Sequence, residues 1–220
     1  MGRTMPRRRD ARGGFVYHVT NRAVRRATLF FTPEDHVAFL AVLVDAAARF
    51  PSMRLLSWEI MKNHWHLVVW PRQDGELSDY VGWFSLTHAC RWQRVHGTRG
   101  TGYVYQGRFN ATRIESVSHL FIACAYVESN AFDKHLVARA QDWPWSSAAA
   151  HSPDCPLPPL HEWPVPKPSP EQWRAVLNQP GRRARRLACQ QAAARLDPSA
   201  AAAWHREIAE HSRTASPASR

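Results

Sequence analysis

The run Met61-Lys62-Asn63-His64-Trp65-His66-Leu67-Val68-Val69-Trp70 constrains the fold more than any other stretch. It is strongly apolar, too short to cross a membrane, and closed off by Pro71. As a strand it puts His64 and His66 on one face and Trp65, Leu67 and Val69 on the other, because neighbouring side chains alternate. One face must enter a core. The other sets two imidazoles side by side, as two ligands of one metal ion must be.

The remaining elements follow from alternation and turn residues. Residues 1–14 are basic and carry Gly13-Gly14, the composition of a flexible arm. Phe15 to Arg22 reads as a first strand. Thr32-Pro33-Glu34-Asp35 opens a helix that runs to about Phe50, where Pro51 stops it. Met53 to Lys62 is a second strand, turning at Lys62-Asn63 into the third, His64 to Trp70. Ser78-Asp79 opens a second helix, reaching about His96 and ended by Gly97. Tyr103 to Ile114 reads as a fourth strand with a bulge at Gly107, and Ser116 begins a third helix running to about Asn130.

The order β-α-β-β-α-β followed by a helix predicts an α+β fold. Specifically, it is the ferredoxin-like split βαβ, an antiparallel sheet whose open face the extra helix can cross. Residues 15–151 form this domain. Residues 152–170 hold eight prolines and read as an extended linker or wrapping arm. Residues 171–211 are a basic helical extension, broken at Pro180-Gly181 and Pro198, and 212–220 are a disordered tail.

A formal net charge of +11 and an isoelectric point near 10.4 favour a polyanionic partner, nucleic acid before an anionic membrane surface. Cys90, Cys124, Cys155 and Cys189 form no CxxC pair, which argues against a disulfide framework or a structural zinc site. With no membrane span and no secretory signal, the expected location is cytoplasmic and nucleoid-associated.

Tyr126 and Asn130 lie four residues apart, on one face of the third helix. Over His64 and His66 they would add a phenol and an amide oxygen to two imidazoles. Such a set could hold a divalent cation with open positions and offer a tyrosine nucleophile for phosphoryl transfer. Each residue also has a plainer reading. His-x-His on a strand is often structural, and a tyrosine on an apolar helix usually packs. Tyr103 and Tyr105 are rival nucleophiles, and His18 is either a neighbour of the site or a packed or hydrogen-bonded histidine. Most of the tryptophans, Trp143 and Trp145 among them, read as core.

Six motifs in order resemble one family. They are Tyr17-His18-Val19-Thr20-Asn21-Arg22, Phe30-Phe31-x-x-Glu34-Asp35, Met61-Lys62-Asn63-His64-x-His66, Tyr105-Gln106-Gly107-Arg108-Phe109, Tyr126-Val127-Glu128-x-Asn130 and Trp143-Pro144-Trp145-Ser146-Ser147. Over about residues 15–150 the chain is similar to the REP-associated tyrosine transposases, single-tyrosine HUH enzymes of the insertion-sequence-200-like group. The resemblance implies that His64, His66 and Asn130 hold Mg²⁺ or Mn²⁺. It implies that Tyr126 attacks single-stranded DNA, leaving a 5′-phosphotyrosine and a free 3′-OH. The implied substrates are imperfect palindromes folded into hairpins, with a short single-stranded guide. Arg22, Arg25, Arg26, Gln106, Arg108 and Arg113 flank the site in sequence and are the expected DNA contacts.

The chain departs from the family where Asn130-Ala131-Phe132-Asp133-Lys134 replaces the usual Asn-Pro-Val-Arg-Ala. It also has Met61-Lys62-Asn63-His64 for Met-Pro-Asn-His, and Gly181-Arg182-Arg183 matches the family's Gly-Arg-Pro only loosely. A monomer completing its site in cis is favoured, against a dimer that places the tyrosine over its partner's histidines. The alternatives are a catalytically retired hairpin-DNA-binding host factor and a metal-dependent hydrolase unrelated to DNA.

Overall fold

A computed structural model describes residues 11–149 and 157–214, with side chains described as far as 210. Strands β1 (Val16–Arg22), β2 (Arg54–Met61), β3 (His64–Trp70) and β4 (Asn110–Ile114) pair antiparallel in the order β2-β3-β1-β4. Helix α1 (Pro33–Arg49) connects β1 to β2, and α2 (Glu76–Val95) connects β3 to β4. This is the ferredoxin-like arrangement expected from the order of elements. Pro33 supplies the first helical position of α1, and the Asp35 carboxylate accepts the Phe31 and Thr32 N–H groups at 2.8 and 3.1 Å. Those donors have no partner within the helix, so the acid satisfies them.

The sheet buries both faces. Tyr17, Val19, Trp65, Leu67 and Val69 pack under α1 and α2 with Phe39, Leu43, Tyr80 and Phe84. A polar chain runs through this core: Trp65 Nε1 donates to Tyr105 Oη at 3.1 Å, and Tyr105 donates to His88 Nδ1 at 2.7 Å. On the other face Val16, Val68, Trp70 and Ile114 lie under α3 (Val117–Glu128), against Leu120, Phe121 and Cys124.

Helix α3 is apolar almost all round, so one sheet cannot satisfy it. Its outer side is covered by α5 (Pro170–Leu177), α6 (Gly181–Ala194) and residues before them. Trp163 and Trp173 meet Phe121 edge-on at 5.4 and 6.0 Å. The buried Glu128 carboxylate, at the end of α3, accepts Ser147 Oγ at 2.8 Å and Trp173 Nε1 at 2.6 Å. Residues 157–169 are a wrapping arm. His161 N donates to Leu55 O at 2.8 Å, and Trp163 Nε1 to Leu56 O at 3.3 Å. Ile60 N donates to Trp145 O at 2.8 Å, so the outer edge of β2 is capped along much of its length.

Several boundaries differ from the sequence expectations. Residues 11–14 are docked rather than free: Ala11 is buried and Gly14 N donates to Pro71 O at 2.8 Å. Residues 1–10 lie outside the described chain, as do 150–156 and 215–220. Helix α2 starts at Glu76 rather than Ser78, entered through Gly75 at φ 82°. The fourth strand is shorter than Tyr103–Ile114. Gly102 and Gly107 sit at φ 118° and 155°, and Tyr105 makes only one isolated bridge, to Ala23. The third helix does not reach Asn130. It stops at Glu128, and Ser129 at φ −120°, ψ 11° separates it from the single turn α4 (Asn130–Asp133). Helix α7 (Pro198–Thr214) continues past residue 211. No helix among the described residues is long and apolar enough to cross a membrane.

Helix α6 is anchored by Arg185, which is only 3% exposed. Its two terminal nitrogens meet the Asp133 oxygens at 2.8 and 2.8 Å, and Nε donates to Leu177 O at 3.0 Å.

Breaking a buried ion pair by removing one partner leaves a buried charge uncompensated. Arg185→Ala is therefore expected to lower unfolding free energy by about 3–5 kcal/mol in urea titrations. Tyr105→Phe, which strips partners from Trp65 and His88, should cost about 1–3 kcal/mol in the same assay. Burial holds the His88 imidazole neutral, lowered from 6.5 to about 3. The unfolded chain takes up a proton first, so the contribution of His88 is complete above pH 6.5 and is lost as pH falls towards 3. The thermal midpoint should decline across that window, and His88→Leu should flatten the decline.

Candidate functional site

The face of the sheet under α3 changes character along the strands. In register, Val16 lies beside Ile114, His18 beside Val68 and Thr112, Thr20 beside His66 and Asn110, and Arg22 beside His64. On the β2 side, Glu59 is opposite His66 and Met61 opposite His64. One end of the face is thus core and the other is polar. Helix α3 follows the same gradient, with Leu120, Phe121 and Cys124 over the apolar end and Tyr126 over the polar end.

Both histidines of the opening motif are oriented by neighbours. Asn63 Nδ2 donates to Arg26 O at 2.9 Å, which turns its Oδ1 towards His64 Nδ1 at 2.8 Å. An amide oxygen only accepts, so Nδ1 carries the hydrogen and Nε2 of His64 carries the lone pair. His66 Nδ1 lies 3.0 Å from His18 Nε2, and its own Nε2 is buried without a partner among the described residues. The two rings are 5.1 Å apart. His18 is thus a hydrogen-bonded neighbour of His66.

The electrostatics keep these rings neutral. Burial first, then Arg22 and Lys134, lower His64 to about 4. Burial, then His18, His64 and Arg22, push His66 well below its ordinary value. Burial, followed by His119, lowers His18 to about 4. Neutral imidazole is the form that binds a metal. Glu59, opposite His66, is driven up chiefly by burial, against the pull of the Ala131 N–H that it accepts at 2.8 Å. That hydrogen bond fixes α4, and with it Asn130, to β2.

The Tyr126 ring stands edge-on to His66 at 5.5 Å and to His18 at 5.7 Å, all within one chain. Three cavities meet at this ring. The first, about 690 Å³, is bordered by Arg22, Arg26, His66, Gln106 and Arg108 as well as Tyr126. The second, about 300 Å³, is bordered by His64, Tyr126, Asn130, Lys134 and Arg182. The third, about 390 Å³, lies between α3 and α6 and is bordered by His18, His119, Tyr126 and Arg182. The break at Ser129 does not part Tyr126 from Asn130, because both border the second cavity.

The donor set can be tested against the metal that the resemblance implies. Among the described residues no three His, Cys, Asp or Glu side chains cluster to hold a metal. The set is two neutral imidazoles and the Asn130 amide. Nε2 of His66 is buried and unpartnered among the described residues, a nitrogen that a divalent ion would satisfy; the unpartnered atom of Asn130 is its amide nitrogen, a donor, so its oxygen is the atom that would have to face the ion. This fits a weakly held divalent ion that keeps open positions for water or phosphate.

Of the six expected DNA contacts, Arg22, Arg26, Gln106 and Arg108 border the largest cavity. Arg25 does not; it points to a separate surface hollow with Trp92 and Tyr103. Arg113 is paired with Tyr17 in register, stacks on Phe15 at 4.8 Å and bonds Glu115, on the far face of the sheet. Arg25 and Arg26 take φ 54° and 58°, a conformation uncommon outside glycine; the cross-chain bonds of their turn hold it there. The sequence reading missed Lys134 and Arg182, and gave Asn63 no role of its own. Asn63 could have been found from its place beside His64, whereas Arg182 is brought in only by tertiary folding.

A family model described as "Transposase IS200 like" matches residues 13–130, which span every element from β1 to Asn130. No curated protein matches the chain. Among solved structures, a REP-associated tyrosine transposase bound to a REP hairpin matches with a TM-score of 0.50 and 19% identity. The match covers 66% of this chain and 82% of that one, and at that identity it speaks for the fold. Since the family model spans more than half of the sequence, the chain belongs to the IS200-like transposase family.

Proposed function

We propose that this chain is a metal-dependent single-stranded DNA endonuclease and strand transferase acting on hairpin-forming, palindromic DNA of the REP kind. The observation that carries the reading is the Tyr126 phenol standing over its own chain's histidine pair, 5.5 Å from the His66 ring. A monomer therefore suffices, with no tyrosine borrowed from a second copy. Acting on DNA places the protein in the cytoplasm, associated with the nucleoid.

In this reading Tyr126 Oη attacks a DNA phosphorus, and the bond to the 3′ oxygen breaks. A 5′-phosphotyrosine and a free 3′-OH result: the phenol's proton passes to solvent in the open cavity, and solvent returns one to the departing 3′ oxygen. A returning 3′-OH reverses the step on another strand, so no nucleotide cofactor is needed. His64, His66 and Asn130 would hold Mg²⁺ or Mn²⁺, which supplies a Lewis acid for the phosphoryl oxygens. Asn63 keeps His64 turned so that it offers Nε2, and in this reading His66 donates its Nδ1–H to His18 Nε2 and offers Nε2 likewise. Arg22, Arg26 and Arg108 supply positive charge where the backbone enters, and the Gln106 side chain offers hydrogen bonds to a base edge. Glu59 acts at a distance, keeping α4 in place.

The test is a covalent adduct assay with labelled single-stranded hairpin DNA and Mn²⁺, resolved on denaturing gels. Wild type should form the adduct, and EDTA should abolish it. Tyr126→Phe should abolish it while leaving hairpin binding intact. An adduct surviving in Tyr126→Phe sinks the assignment; tight binding by wild type with no adduct would mark a retired hairpin-binding factor. His18→Ala should weaken the Mn²⁺ dependence of the adduct by about 10–100-fold, the usual effect of removing a ligand's hydrogen-bond partner. Arg22→Ala and Arg108→Ala should each weaken binding to all sequences alike and flatten its salt dependence.

A further inference from the structure

The C-terminal extension brings one side chain to the nucleophile. The Arg182 guanidinium lies over the Tyr126 ring, 5.4 Å from its centroid. It borders the two smaller cavities on either side of that ring, one with His64 and Asn130 and the other with His18 and His119. Arg182 lies outside residues 13–130, and in sequence it stands out only as part of a basic run and of a loose match to Gly-Arg-Pro.

The contact is built rather than incidental. Arg182 sits in the first turn of α6, one turn before Arg185. Arg185 is buried and bonded through both terminal nitrogens to Asp133, the last residue of α4. Asp133 also faces Arg182, with Nε 3.6 Å from Oδ2. One carboxylate therefore orients two arginines, locking one into the core and leaning the other on the tyrosine. The Arg182 side chain remains 64% exposed, so it stays open to the cavity while it stacks. Gly181 at φ 77° permits the turn that starts α6 at this point.

We infer that Arg182 is a positioning residue for Tyr126. Its guanidinium holds the phenol ring between the histidine pair and the DNA, so the extension is part of the site. Stacking by a planar cation restrains the ring without blocking its hydroxyl. Positive charge on the ring's face also favours the build-up of negative charge as the phosphorus is attacked.

This inference rests on reading Tyr126 as the nucleophile, so the experiment has two arms. The full chain is compared with Arg182→Ala, Arg182→Lys and Arg183→Ala, the last an exposed neighbour that removes the same charge. In the first arm, single-turnover adduct formation should slow by about tenfold or more in Arg182→Ala, while hairpin Kd changes less than about threefold. Arg182→Lys should recover part of the rate, and Arg183→Ala should behave as wild type. Equal rates in Arg182→Ala and Arg183→Ala overturn the inference.

The second arm does not need activity. With ¹³C-labelled tyrosine, and Tyr126→Phe to assign the signal, the Tyr126 ring resonance should move in Arg182→Ala and stay in Arg183→Ala. An unmoved resonance overturns the inference even if rates fall. Should wild type form no adduct, the strand-transfer reading fails, and the ring resonance alone decides whether Arg182 sets the tyrosine.

Discussion

Burial of α3 on both sides is the constraint from which the rest follows. A helix that is apolar all round cannot lie on a sheet with its back to water. The sheet supplies one wall through Val16, Val68, Trp70 and Ile114, and the segment from Trp163 to Cys189 supplies the other. The second wall is hydrogen-bonded as well as packed, through Glu128, Ser147 and Trp173. Tyr126 is thus held by a layer on each side, and its place over the histidines comes from packing more than from any bond to the ring. A helix that carried its tyrosine on an exposed flank would have to find that precision elsewhere.

The sheet face divides labour along its length. Where it is apolar it fastens α3, and where it is polar it presents chemistry. Both ends use the same pleat alternation, so a slip of one residue in β3 would bury the imidazoles in the α1–α2 core and turn Trp65 onto the face under α3. The bond to Asn63 then sets the nitrogens of His64, the contact with His18 orients the His66 ring, and burial disfavours protonation of both.

Much of this was legible in the sequence because it is local. Alternation in His64–Trp70 gave the strand and its two faces, and Thr32-Pro33-Glu34-Asp35 gave the start of α1. What was not legible depended on distant contacts. Tyr103-Val104-Tyr105 has the composition of a strand, yet glycines at positive φ on both sides turn it away and Tyr105 goes to His88 instead. No glycine or proline marks the end of α3. Ser129 ends it by bonding its hydroxyl back to Ala125 O at 2.5 Å, a use of serine that composition does not reveal. The proline-rich stretch leaves linker and wrapping arm equally open until Trp163 is seen to be buried. Arg113 and Arg108 look equivalent in sequence, yet the register of β4 turns Arg113 to the far face while Arg108, in the loop before that strand, borders the site cavity. The assignment of Tyr126, His64, His66 and Asn130 to one place survived because it needed only the sheet order and a helix crossing it.

The interruption at Ser129 means that the phenol and the amide ride on separate bodies. Asn130 belongs to a turn pinned to β2 through the Ala131 N–H and Glu59. Tyr126 belongs to α3, clamped between the sheet and the C-terminal helices. A continuous helix would couple the two as points on one rigid screw, so any displacement of the hydroxyl would carry the amide with it. Here the phenol takes its position from the packing of α3 and the amide takes its own from β2, so a change in the wall over α3 can shift Tyr126 and leave Asn130 in place.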